Sequence, residues 1–134
     1  MSEDQRIITA QVVETGENDF AVSIDVSGHT LKGDEPIEAG GGNLGPAPYD
    51  LLAAALGECT AMTVRWYALK EKWPLDKVEV KLTFQNIDKV GVFEKQILVH
   101  GDQLTDDQRQ KLIEVAAKCP VQRTLEGKVE IRTV

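Results

Sequence analysis

A chain of 134 residues has the length of one domain, and fifteen Lys and Arg against 22 Asp and Glu leave it a formal charge of −7. Hydrophobic residues at 42% and charged ones at 28% are those of a soluble globule, which excludes a disordered chain or a coiled coil. The acidic pI of about 4.8 speaks against a nucleic-acid partner, and no apolar run nears the ~20 residues of a membrane span.

The charged start MSEDQR is followed by no apolar signal region, so a cytoplasmic protein forming a single domain over 1–134 is expected. Ile7 to Val13 is β-branched and reads as a strand. Turn residues Thr15 to Asp19 lead into Phe20 to Val26, where apolar residues alternate with Ala21, Ser23 and Asp25. Ser27-Gly28 turns again, and His29 to Lys32 adds a short third strand. Residues 33–48 hold five of the eleven glycines and three of the five prolines, which leaves no room for a regular element.

Residues 48 to about 70 give the strongest helical signal. Pro48 suits a first turn and Asp50 the positive end of the dipole. Leu52, Leu56, Cys59, Met62 and Trp66 follow helical spacing, and between Leu51 and Ala61 only Glu58 is charged. A helix apolar on most faces is buried, here between a sheet and a partner subunit. Its residues around Cys59 would form an apolar pocket.

Pro74 ends that helix. Asp76 to Asn86 and Val90 to His100 read as two further strands. Thr105 and Gln108 form a capping-box pattern that starts a second helix, whose apolar stripe is Leu112, Val115, Ala116 and Cys119, with Pro120 as its stop. Lys128 to Val134 alternates as a closing strand. Helices set between antiparallel hairpins make an α+β domain.

Most candidate sites are weak. Gly40 to Gly45 matches G-x-G-x-x-G, but neither a buried strand before it nor an uninterrupted helix after it supports a nucleotide site. His29 and His100 lack partners at ligand spacing, so no metal is expected. The serines stand in no nucleophile elbow. Cys59 and Cys119 remain, each readable as core filler or as a redox group. A helix C-terminus would disfavour a thiolate at Cys119, whereas Cys59 needs a nearby cation. Arg65 lies about 240° round the helix from Cys59 and points elsewhere. Arg123 and Arg6 are the candidates to supply that charge.

Two segments carry a resemblance. Gly45 to Thr63 (GPAPYDLLAAALGECTAMT) and Ala117 to Leu125 (AKCPVQRTL) resemble the two cysteine motifs of the OsmC/Ohr family, the osmotically inducible and organic-hydroperoxide-resistance proteins. The cysteine spacing and the order of elements along nearly the whole chain fit as well. The resemblance implies an intertwined homodimer with a long central cysteine helix. It implies a cysteine-based peroxidase that needs no cofactor, with Cys59 attacking an organic hydroperoxide, Cys119 closing a disulfide and an external dithiol resetting it. A non-catalytic dimer that binds a small apolar ligand is the alternative.

Two positions depart from the better characterised relatives. Tyr49 stands where they carry a glutamate, and the first hairpin lacks their arginine. Asp50 is the nearest substitute, although a straight helix places it about 180° round and some 13 Å along the axis from Cys59.

Overall fold

The computed structural model describes residues 6–134. The chain divides into two compact units, one ending at Leu52 and the other running from Ala53 to Val134.

The first unit is a three-stranded antiparallel meander of β1 (Ala10–Glu14), β2 (Val22–Val26) and β3 (His29–Gly33). Val12, Ile24 and Leu31 lie side by side across it. Strand β1 begins at Ala10, three residues after the apolar run read from the sequence, because the pairing with β2 ends at Ala10↔Val26. The β2–β3 link is a two-residue hairpin in which Ser27 and Gly28 both have positive φ, 49° and 83°. That geometry matches the twist of the strands it joins.

The glycine-rich segment is ordered by one carboxylate. Asp34 is buried and accepts hydrogen bonds from the backbone N–H groups of Glu35, Gly42 and Leu44 and from Asn18 Nδ2, at 2.8–3.1 Å. Burial alone would raise its pKa, but these donors outweigh burial and hold it below the usual carboxylate range. A single 3-10 turn, Ile37–Ala39, interrupts the loop. Gly41 packs so closely on the Glu35 carbonyl and Asp34 that a Cβ has no space there.

Helix α1 (Pro48–Glu71) starts at the end of this unit and continues through the second. Pro48 occupies its first turn, and Asp50 accepts from the Ala47 N–H at 2.9 Å. At its other end Lys72 turns left-handed, φ 59°, with Lys72 N–H on the Leu69 carbonyl and Trp73 N–H on that of Ala68. This pair of bonds is a Schellman stop, reinforced by Pro74.

In the second unit β4 (Lys77–Ile87) and β5 (Val90–His100) form a long hairpin with Val80 opposite Ile97 and Phe84 opposite Phe93. Helix α2 (Asp106–Ala116) opens with the expected capping box. Thr105 Oγ1 accepts from the Gln108 N–H at 3.1 Å and Gln108 Oε1 from the Thr105 N–H at 3.0 Å. Val64 and Ala68 of α1, Leu75 and Leu104 of the connections, and Leu112 and Ala116 of α2 form the core. Arg65 donates to the carbonyls of Leu75 and Asp76, so it is spent on the hairpin's base.

Two sequence expectations fail here. The second helix does not run to Cys119. It ends at Ala116, and a separate helix α3 (Pro120–Glu126) follows with Cys119 as its N-cap. Pro120 is thus an initiator at the first helical position rather than a stop. Lys128–Val134 forms no strand and belongs to neither sheet, with Ile131 89% exposed. An alternating sequence becomes a strand only when a neighbour completes its backbone hydrogen bonds, and none lies alongside it among the described residues.

Candidate functional site

Helix α1, the turn into α3 and the inner face of β5 meet in the second unit around the two cysteines. Both thiols are free and buried, Cys119 completely and Cys59 at 8% exposed. They share one cluster with Leu56 of α1, packed against by Leu82 of β4, Phe93 of β5 and Val121 of α3.

The first turn of α3 serves both sulfurs. Gln122 N–H points at Cys119 Sγ, 3.4 Å away, and Val121 N–H at Cys59 Sγ, 3.5 Å away. Cys119 therefore stands between the end of α2 and the beginning of α3, and it caps the latter instead of lying on a helix C-terminus. The Cys59 thiol is pushed above its ordinary pKa, first by burial and then by Cys119 beside it. The Val121 N–H and the Thr63 hydroxyl oppose that rise.

A cation does stand at the site, and it is Lys95. Its Nζ donates to Thr60 Oγ1 at 3.0 Å and to the Ala116 carbonyl at 2.9 Å. Thr60 Oγ1 lies 2.7 Å from the Leu56 carbonyl and 3.5 Å from Cys119 Sγ. Burial lowers the Lys95 pKa, while Cys119, then Cys59, then Glu126 act to raise it.

A cleft of about 520 Å³ opens over this group, walled by Leu56, Val92, Phe93 and Leu125 with Lys95, Gln122 and Glu126 as its polar groups. Leu56 and Phe93 belong to both the cleft and the cysteine cluster. Gln122 Nε2 donates to Glu126 Oε1 at 3.3 Å, and Gln122 Oε1 is buried without a partner among the described residues.

Of the apolar residues expected around Cys59, Leu56 shares its buried cluster. Met62 and Trp66 are 53% and 41% exposed, and Leu52 is exposed in the first unit. The cysteines' apolar walls come instead from β4, β5 and α3.

The supporting candidates lie in both units. Arg123 lies on α3, and it lines a smaller pocket with Thr63, Trp66, Tyr67, Lys111 and Lys118. Arg6, Tyr49 and Asp50 belong to the first unit, where Asp50 caps α1. The N–H groups of Gly42 and Leu44 in the glycine run are taken by Asp34, and His100 pairs with Glu79 at 2.9 Å. Among the described residues no three His, Cys, Asp or Glu gather as a metal site, and no helix is long and apolar enough to cross a membrane.

Lys95, Thr60 and Thr63 are the residues that the sequence reading passed over. Lys95 carries a signal. It has the parity of Phe93, Ile97 and Val99, so a charge sits on the core-facing side of an alternating strand.

The OsmC-like protein family model matches residues 40–134. Solved structures with the same fold include an OsmC-like protein from Mycoplasma pneumoniae, at 18% identity and TM-score 0.74 over 94% of this chain and 90% of that one. Another is the organic hydroperoxide resistance protein OsmC of Legionella pneumophila, at 20% identity and TM-score 0.64 over 93% of each chain. The organic hydroperoxide resistance protein OhrB of Bacillus subtilis aligns at 22% identity and TM-score 0.59 over 91% of this chain and 93% of that one. Comparison with curated proteins gives no match. The family match spans both cysteine segments and well over half of the sequence, and the chain belongs to the OsmC-like protein family.

Proposed function

We propose that the protein reduces organic hydroperoxides to alcohols with its two cysteines, as a homodimer. The observation that carries this reading is a pair of free thiols in one buried cluster that shares Leu56 and Phe93 with the wall of an apolar cleft, in a chain whose relatives of like fold include organic hydroperoxide resistance proteins. Cys59, the less buried of the two, takes the first step. Its thiolate attacks the peroxide, an S–O bond forms, the O–O bond breaks, and the leaving alkoxide takes a proton to become an alcohol. The resulting Cys59 sulfenic acid condenses with Cys119, releasing water and forming a disulfide. An external dithiol restores both thiols by two exchanges. The unpartnered Gln122 Oε1 suits the O–H that a hydroperoxide presents.

Dimerisation is supported by Met62, Trp66 and Leu69, large apolar residues at helical spacing on one exposed face of α1. The exposed alternating tail also fits strand addition to a second copy.

One observation favours a second reading, a ligand-binding dimer whose cysteines stay reduced: burial pushes the Cys59 thiol up, away from the reactive thiolate. Thiols counted before and after one equivalent of cumene hydroperoxide separate the two. Loss of two thiols per chain supports the peroxidase. Retention of both, with cumene hydroperoxide still bound, leaves the binder.

A further inference from the structure

Lys95 is costly where it stands. Its neighbours on the inner face of the hairpin are Leu82, Phe93 and Ile97, and an aliphatic residue there would complete the cluster. Its ammonium is instead fixed by two acceptors, the Thr60 hydroxyl and the carbonyl of Ala116, the last residue of α2. A helix C-terminus favours a positive charge, so α2 holds the cation in place.

The hydrogen-bond directions give the arrangement a polarity. An ammonium only donates, so Thr60 Oγ1 accepts from Lys95 and has one proton of its own to place. Two acceptors compete for it, the Leu56 carbonyl at 2.7 Å and Cys119 Sγ at 3.5 Å. With Cys119 protonated, the carbonyl is the better acceptor. Once Cys119 carries a negative charge, the sulfur becomes one, and the ammonium behind Thr60 polarises the hydroxyl towards it. The Gln122 N–H at 3.4 Å supplies a second donor to the same sulfur.

We propose that Lys95 and Thr60 form a charged relay that stabilises the thiolate of Cys119, and so prepares the second cysteine, rather than the first, for its nucleophilic step. Lys95 is a positioning residue here, acting on the sulfur through Thr60. The relay deepens the peroxidase reading and rests on it for the oxidant. The Cys119 thiolate attacks the sulfur of the Cys59 sulfenic acid, the S–S bond forms from the thiolate's electron pair, and the S–O pair leaves as hydroxide. The proton that Cys119 gave up to solvent is balanced by one that the hydroxide takes up as it becomes water, and Lys95 ends the step still charged. The charged groups around the relay are Glu126 on α3 and the Cys59 sulfur on α1. Glu126 opposes the relay, because its carboxylate draws on the same ammonium.

The test reads Cys119 alone, in a Cys59→Ala background, by following the ultraviolet absorbance of its thiolate against pH. Adding Lys95→Met is expected to cut the thiolate fraction on the rising part of that curve about tenfold, the low end of what one nearby opposite charge does, since Lys95 reaches the sulfur through Thr60. Lys95→Arg should restore most of it, and Thr60→Ala should fall between. If Lys95→Met destabilises the fold, the Thr60→Ala and Lys95→Arg curves still decide the matter. Curves for Lys95→Met and Thr60→Ala that overlay the parent in folded protein overturn the relay. No peroxide enters this titration, so a wild-type protein inert to cumene hydroperoxide would remove the peroxidase reading without touching this result.

Discussion

The backbone N–H of Val121 points at Cys59 Sγ from 3.5 Å, so the short helix that Cys119 caps also serves the other cysteine. One helix beginning is shared by two sulfurs that lie far apart in sequence. It partly offsets the burial that pushes Cys59 towards its neutral form.

That balance predicts a pH dependence. With the Cys59 pKa raised above its unfolded value, the reactive thiolate is scarce near neutrality. Peroxide consumption should therefore rise about tenfold per pH unit through and beyond the ordinary thiol range near ~8.5. The sign for stability is opposite. The contribution of neutral Cys59 is complete below the unfolded pKa and is lost as pH rises through the folded one. Stopped-flow rates against pH check the first statement and denaturant midpoints the second. A rate that is flat across alkaline pH contradicts the account.

Asp34 behaves in the reverse direction. Its pKa is held below the carboxylate range, so its support of the glycine loop is present above the unfolded value of ~3.9 and fades as pH falls through the folded one. The protection of the Gly42 and Leu44 amides against hydrogen exchange, relative to their intrinsic rates, should fall in acid, and Asp34→Ala should lower it most near neutral pH, where the carboxylate is charged. Unchanged protection of those two amides in Asp34→Ala would remove Asp34 as the organiser of the loop.

Light scattering at micromolar concentration should give twice the 14.7 kDa chain mass. Trp66→Glu places a charge on the exposed apolar face of α1 and should shift the protein towards monomer. A wild-type monomer, or a dimer that Trp66→Glu and Met62→Glu both leave intact, rejects that face as the interface.

The cleft walls Leu56, Val92, Phe93 and Leu125 reward an organic group. At roughly 0.8 kcal/mol per buried methylene, cumene hydroperoxide should react at least tenfold faster than hydrogen peroxide. Leu125→Ser should narrow the gap by slowing the organic substrate alone. Equal second-order rate constants for the two peroxides contradict this.

The elements were largely legible because each carried its own local chemistry. Pro48 and the capping box at Thr105 set helix starts, Pro74 follows a helix end, and the apolar alternation from Val90 to His100 matches β5 at both ends. What failed depended on context. Pro120 is compatible with a stop or a start, and only the chain turning after Ala116 makes it a start. Lys128–Val134 has a strand's alternation but no strand to pair with among the described residues. The two cysteines stood out as residues, whereas Lys95 joins them only through tertiary packing of β5 against α1 and the end of α2. Its parity on the strand was the trace that a reading of apolar residues alone overlooked.

The central claim is that Cys59 meets the peroxide and Cys119 closes the disulfide. Single-turnover peroxide loss, followed by mass spectrometry of the protein, tests it in Cys59→Ser and Cys119→Ser. Cys59→Ser should consume no peroxide. Cys119→Ser should consume about one equivalent and stop as a sulfenic acid that over-oxidises with excess peroxide. Peroxide consumption retained in Cys59→Ser and lost in Cys119→Ser would reverse the roles, and loss of peroxide unaffected by either substitution would contradict the cysteine mechanism altogether.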